Sequence, residues 1–302
     1  MKKPIIFSLI AFGIITLLTP LALFPNDSLY SIKNNAWMEK VDDNTLIRSM
    51  SIPGTHDSGA THSIADVSGK CQELSINSQL KIGVRFFDLR VQLYDDNLEI
   101  AHGPVRQKLN FDEVMSTLSK YIKENPSEFL LISLKEENSP YNSTKDFIEE
   151  LMKVINEHND IICFDNTLPS TLKEARGKIY ILSRCNLGVG IEAYYGWRDS
   201  TSFELGELFV QDNYCISDIN IKKEDILNAI DYQNENEDKL VLNFTSCYYD
   251  FGFPPTYAGT IAKEINTWLL NSLNDEELSL GIMIMDFVTT DLADKVIRRN
   301  TL

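Results

Sequence analysis

Short apolar runs alternate along most of this chain with stretches in which apolar residues recur every three or four positions. The runs at 49–52, 84–91, 98–101, 129–134, 179–182, 208–210, 240–244 and 281–285 predict strands. Between residues 111 and 124, Val114, Leu118, Tyr121 and Ile122 share one face; Asn110 stands at the start and Pro126 follows the end, which predicts a helix. The same spacing predicts helices over 146–157, 223–232, 258–273 and 292–299. Strands alternating with helices specify a parallel sheet, and about eight of them favour a closed α/β barrel. An open doubly wound sheet competes, but no glycine-rich phosphate loop follows the first strand. No repeat or composition break divides residues 26–302, so one domain is expected there.

Residues 1–25 break the pattern. Lys2 and Lys3 precede an apolar run from Ile5 to Phe24, interrupted only by small or weakly polar residues and Pro20. This is read as a signal peptide or an N-terminal anchor, its length lying between a signal core and the about 20 residues of a spanning helix. No clear small-x-small cleavage site follows. The two lysines predict export of the remainder, either secreted or anchored outside the cytoplasm. Cys71, Cys163, Cys185, Cys215 and Cys247 are odd in number and scattered, with no metal-ligand spacing, so most are read as buried small hydrophobes.

Charge narrows the class of partner. The 28 Lys+Arg and 44 Asp+Glu of this 302-residue chain leave a net charge of −16. Such a chain repels nucleic acid at long range, and no basic cluster offsets this. An anionic substrate must then be held by a few cations in a cleft. With 43% hydrophobic and 10% aromatic residues, general disorder is excluded.

Charged or imidazole side chains stand at or just after many predicted strand ends: His56 and Asp57, Asp88 and Arg90, His102, Lys135, Arg184, Asp212 and Asp286. In a barrel those ends converge on one face, where barrel enzymes place their chemistry. Pro53-Gly54 is expected to end the first strand sharply and to put His56 at the rim. Two imidazoles facing one centre can act as general base and general acid in phosphodiester cleavage. His62 and His158 lack such a setting and are read as ordinary loop and helix residues. Asp88 and Arg90, two apart on a strand, face the same side. They form either a buried structural pair or an anion clamp with its orienting carboxylate.

The segments Ala-Trp-Met at 36–38, Ser-Ile-Pro-Gly-Thr-His-Asp-Ser at 51–58, Gly-Val-Arg-Phe-Phe-Asp-Leu-Arg at 83–90 and Ile-Ala-His-Gly-Pro at 100–104 together carry a resemblance. It continues through Gly-Lys-Ile-Tyr-Ile-Leu-Ser-Arg at 177–184, Val-Gln-Asp-Asn-Tyr at 210–214 and Gly-Ile-Met-Ile-Met-Asp-Phe at 281–287. In this order they resemble the bacterial phosphatidylinositol-specific phospholipases C. The resemblance implies a distorted, incompletely closed (β/α)8 TIM-type barrel and a lyase with no metal or other cofactor. Its products would be diacylglycerol and inositol 1,2-cyclic phosphate, from phosphatidylinositol and from glycosylphosphatidylinositol (GPI) anchors too. His56 would be the general base and Asp286 its partner. His102, helped by Asp57, would be the general acid. Arg90 would stabilise the phosphate, with Asp88 holding the surroundings. Lys135, Arg184 and Asp212 match positions that bind inositol hydroxyls, and Tyr214 a ring that stacks on inositol. A monomer touching the membrane transiently is expected.

Tyr194-Tyr195-Gly196-Trp197 and the aromatics at 248–255 could meet lipid at the barrel mouth or cap the core beneath their loops. Two other functions stay open at this stage. One is a metal-dependent phosphodiesterase with His56, His102, Asp88 and Asp286 as ligands. The other is a catalytically silent inositol-phospholipid-binding protein on the same barrel.

Overall fold

The structure, a computed structural model, describes residues 34–63, 69–236, 238–249, 258–273 and 277–300. The leader predicted over 1–25 and most of the second aromatic segment lie outside them. Seven parallel strands form the wall: β1 (Ile52–Thr55), β2 (Phe86–Tyr94), β5 (Leu130–Glu136), β7 (Ile179–Ser183), β10 (Leu208–Gln211), β12 (Leu240–Phe244) and β14 (Ile282–Met285). β14 pairs with β1 in register, Gly54 opposite Ile284, so the last strand closes on the first. No pairing joins β7 to β10. The outer edge of β7 carries β6 (Ile162–Cys163) and β8 (Ile191–Glu192), and that of β10 carries the antiparallel β9 (Ser202–Leu205). The barrel is therefore incomplete, and the reason is local. Every other wall-to-wall connection contains a helix, but residues 184–207 contain only β8 and β9. Without a packed crossover helix, nothing draws the two strands to pairing distance.

Helices α1 (Ile76–Ile82), α2 (Phe111–Glu124), α3 (Phe147–Asn156), α4 (Leu172–Ala175), α5 (Ile219–Glu235), α6 (Ala258–Ser272) and α7 (Thr290–Ile297) complete the described α-helices. The α2 bounds match the apolar stripe. Asn110 does occupy its cap position, but its side chain bonds no helix N–H. The expected strand at 98–101 is not part of the wall. It belongs to β3 (Asn97–His102), which pairs antiparallel with the far half of β2 and with β4 (Val105–Asn110).

A second correction concerns β1, which begins where the expected strand at 49–52 ends. Ser49 closes a 3-10 turn, and Pro53 and Gly54 lie inside the strand rather than terminating it. Proline is tolerated here because its carbonyl accepts from Arg85 N–H on the β2 side, before the β1–β2 ladder begins at Gly54. Gly54 is required by closeness: a Cβ there would sit 2.9 Å from Cβ of Phe86.

The alternation of the wall divides the core in two. Ile52, Phe86, Leu131, Tyr180, Leu182, Leu208, Val210, Leu240, Leu242, Phe244, Ile282 and Ile284 fill the interior, closed at one end by Trp37, Met38, Ile47 and Met50. Phe87, Leu89, Ile132, Ile181 and Met283 point outward against the helices. At the closed end Arg85 and Glu128, both fully buried, pair through 2.7 Å contacts. Three backbone carbonyls, of Leu80, Val84 and Asn35, complete the Arg85 guanidinium. Breaking one side of such a pair strands a buried charge. Glu128→Gln should therefore cost about 3 kcal/mol, read as a fall in calorimetric melting temperature. An unchanged melting point would show that the pair contributes nothing net.

Candidate active site

Six of the seven inward-facing rows of the wall, all but that of β12, end in a functional group. Continuing the interior row by two residues gives His56 on β1, Asp88 and Arg90 on β2 and Lys135 on β5. The same step gives Arg184 after β7, Asp212 after β10 and Asp286 after β14. Parallel strands put all these ends on one face, around a cavity of about 830 Å³. His56, Arg90, His102, Lys135, Arg184, Asp212, Tyr214 and Asp286 line it; Asp57 and Asp88 lie buried just beneath. All ten residues singled out in the sequence thus come together, whereas His62 and His158 stay outside the cavity.

His56 is held at both nitrogens. Nδ1 lies 2.8 Å from Oδ1 of Asp286, and Nε2 lies 2.7 Å from Nη2 of Arg90. A guanidinium can only donate, so Nε2 carries the lone pair and Nδ1–H donates to Asp286. Burial lowers the His56 pKa, and Asp286 raises it through charge and hydrogen bond; Arg90 opposes, Asp57 assists, and the net shift is upward. The ring is therefore a strengthened base whose lone pair, on the cavity side, is capped by Arg90.

Asp57 separates the two imidazoles, its Oδ2 lying 3.5 Å from Nε2 of His56 and 3.6 Å from Nε2 of His102. Its backbone is left-handed, φ 42°, a strained setting for a non-glycine residue. Asp88 holds that turn: one carboxylate oxygen accepts from Asp57 N–H at 3.2 Å and from Arg90 Nε at 3.2 Å. The other oxygen accepts from Ser133 and lies 3.4 Å from Arg184 Nη1. Burial opposes charge on Asp88, but Arg90, Arg184 and His56 keep its pKa low. Burial also opposes charge on Arg90, yet Asp57, Asp88 and Glu137 hold it protonated more firmly than in water.

Several residues reach the site without a sequence signal that marked them. Glu137 lies 3.0 Å from Lys135 Nζ and 3.8 Å from Arg90, and accepts from Gly103 N–H beside His102. The fully buried Gln72 amide donates to the carbonyls of His56 and Met285, both at 2.8 Å, fastening the tips of β1 and β14 together. Buried Lys222 donates to Gln211 Oε1 and to the Asn213 carbonyl, bracketing Asp212; burial pushes its pKa down to about 8. Only the aromatic run marked Trp197, for lipid contact or for capping the core. Its ring lies 3.7 Å under the Arg184 guanidinium and its Nε1–H donates to Asp212 at 3.2 Å. Tyr194 and Tyr195 of the same segment are exposed. The cysteines of the described residues are all unpaired; Cys71, Cys185 and Cys247 are buried and Cys163 and Cys215 partly so.

The arrangement supplies a proton acceptor, a second imidazole, and three cations for an anion with hydroxyl groups around it. That is the equipment of phosphodiester cleavage by acid–base catalysis.

Comparison with known proteins points the same way. Residues 50–185 match the family model "Phosphatidylinositol-specific phospholipase C, X domain". The 1-phosphatidylinositol phosphodiesterase of Staphylococcus aureus (strain Newman) is 30% identical, over 87% of this chain and 90% of its own length. The protein of the same name from Listeria monocytogenes is 28% identical, over 89% and 86%. A solved structure of the Staphylococcus aureus phospholipase, concerned with modulation of its membrane binding, superposes with a TM-score of 0.78. It is 26% identical, over 89% of this chain and 98% of its own. The Listeria monocytogenes structure gives 0.71 at 26% identity, over 89% and 99%.

Proposed function

This chain belongs to the bacterial phosphatidylinositol-specific phospholipase C family, and from that premise we propose the reaction it performs and the residues that perform it. The enzyme cleaves phosphatidylinositol to diacylglycerol and inositol 1,2-cyclic phosphate. The observation that carries the mechanism is the chain Asp286–His56–Arg90, with His102 across Asp57 from it. His56 Nε2 accepts the proton of the inositol 2-hydroxyl, whose oxygen attacks the adjacent phosphorus. The bond from phosphorus to the glycerol oxygen breaks, and His102 gives that oxygen its proton. Because the nucleophile already belongs to the substrate, no water need be positioned. Arg90 turns from His56 to the phosphate as the substrate enters, so one cation both guards the base and neutralises the transition state. Lys135, Arg184 and Asp212 bind inositol hydroxyls, and Tyr214 stacks on the ring.

Trp197 belongs to this recognition layer. Trp197→Leu should raise KM for phosphatidylinositol by about tenfold with a smaller change in kcat, since stacking on Arg184 and the bond to Asp212 are both lost. A loss confined to kcat would place it elsewhere.

The whole constellation comes from one chain, consistent with a monomer. GPI-linked lipids are proposed as further substrates of the same cavity of about 830 Å³. Export is proposed from Lys2, Lys3 and the apolar run after them, to secretion or extracytoplasmic anchoring. Exposed Tyr194, Tyr195 and Tyr248 are proposed to touch the lipid surface briefly. No helix among the described residues is long and apolar enough to cross a membrane.

The decisive experiment is phosphorus NMR of the protein with phosphatidylinositol micelles in excess chelator. An accumulating cyclic inositol phosphate signal is expected. Turnover only on addition of calcium would replace this reading with a metal enzyme, and inositol binding without turnover would replace it with a lipid-binding protein.

A further inference from the structure

Cys71 has no part in the reaction above, yet it lies in the floor of the same cavity. Its backbone is pinned on two sides: its N–H donates to the Ala60 carbonyl at 2.8 Å, and its carbonyl accepts from Phe287 N–H at 2.7 Å. The main chain is therefore fixed, and the thiol lies 4.0 Å from Nδ1 of His102. One donor atom each from Cys71, His56 and Asp57 lie within 4.8 Å of one another. This trio differs from the ligand set considered for a metal-dependent reaction, which held no sulfur.

We infer that Cys71, His56 and Asp57 form a site for a thiophilic divalent cation of the zinc or cadmium kind, and that its occupation blocks catalysis. Two observations support it. First, Asp57 is 2% exposed and neither of its carboxylate oxygens accepts a hydrogen bond, its nearest cationic contact being Arg90 Nη1 at 3.2 Å. A buried carboxylate just beneath the cavity whose oxygens accept no hydrogen bond is a ready ligand once Arg90 is displaced. Second, zinc–sulfur and zinc–nitrogen bonds of about 2.3 and 2.0 Å separate the donors around one ion by roughly 3.3–3.7 Å. The trio needs side-chain rotations of only about 1 Å to close on it.

Binding exchanges the thiol proton, released to solvent, for a metal–sulfur bond, with no change of oxidation state. It also displaces Arg90 from Nε2 of His56 and takes the base out of use. A thiolate–imidazole–carboxylate set selects borderline-soft ions over magnesium or calcium.

The inhibition rests on the catalytic reading, whereas the site itself does not, and the test separates them. Cadmium is titrated into the full-length protein and its Cys71→Ser, Cys71→Ala and Cys247→Ser variants, following the ultraviolet cadmium–thiolate charge-transfer band. The expected result is a saturable band that either Cys71 variant lowers and Cys247→Ser leaves in place. Thermal melts of each variant establish that it is folded. In parallel, zinc should inhibit phosphatidylinositol cleavage reversibly, with chelator restoring it, and at least about tenfold more weakly in folded Cys71 variants. A band indifferent to Cys71 would overturn the site, and equal inhibition of wild type and variants would overturn the block. A wild type inactive before metal is added would count against the catalytic reading alone, because the band still decides the site.

Discussion

Replacing His56 by alanine should lower the turnover of phosphatidylinositol by about a thousandfold or more, with little change in substrate binding. The ring is the only base in the described cavity whose lone pair faces outward while its other nitrogen is fixed, Nδ1 lying 2.8 Å from Asp286. Only neutral His56 can accept a proton, and its pKa lies above the ordinary 6.5 because the charge and hydrogen bond of Asp286 overcome burial. On the acid side, kcat/KM should therefore fall about tenfold per pH unit as pH drops through that raised value. Asp286→Asn removes what raises the pKa, so the acid limb should move to lower pH while the maximal rate falls. Rate profiles of wild type and the Asn variant measure both effects. An acid limb that stays in place would take the role of base away from His56.

Arg90→Lys should be nearly as damaging, lowering kcat by about a hundred- to a thousandfold at unchanged net charge. The guanidinium touches Asp88 at 3.2 Å, Asp57 at 3.2 Å and His56 at 2.7 Å at once. An ammonium is a point charge on a flexible stem and cannot satisfy three partners while reaching a phosphate. The loss should appear in kcat rather than KM, because the charge on phosphorus oxygens grows toward the transition state. Excess chelator in the assay keeps any adventitious ion from substituting for the missing fork. Near-normal turnover by the lysine variant would mean that charge alone suffices and that the planar clamp is not used.

Most of the residues first singled out are ones that strand geometry could expose, whereas Tyr214 was marked by the family resemblance. Alternation is a local property of extended backbone, so Ile52-x-Gly54-x-His56 or Ile282-x-Ile284-x-Asp286 states its inward row without knowledge of the rest of the molecule. Trp197, Glu137, Gln72, Lys222 and Cys71 were not legible as site residues. They stand on loops or on a helix, and what each touches depends on where distant segments dock. Trp197 illustrates the difference. An aromatic among turn residues fits a lipid-facing tip as well as a buried support, and only the position of Arg184 and Asp212 decides.

The start of β1 was misplaced for a related reason. Pro-Gly ordinarily signals a turn, but the close approach of Phe86 to Gly54, and a β1–β2 ladder that begins only after Pro53, let both fit a central strand. The sequence by itself determined the alternating strands and helices, the charge-tipped inward rows and the family motifs, because these follow from local periodicity and residue chemistry. The tertiary structure alone decided three things: that the barrel's opening lies between β7 and β10, that β3 leaves the wall, and that one carboxylate lies between two imidazoles with a buried thiol close by. Strand pairing and loop docking are contacts between residues far apart in the chain, and their geometry exists only once the wall has formed.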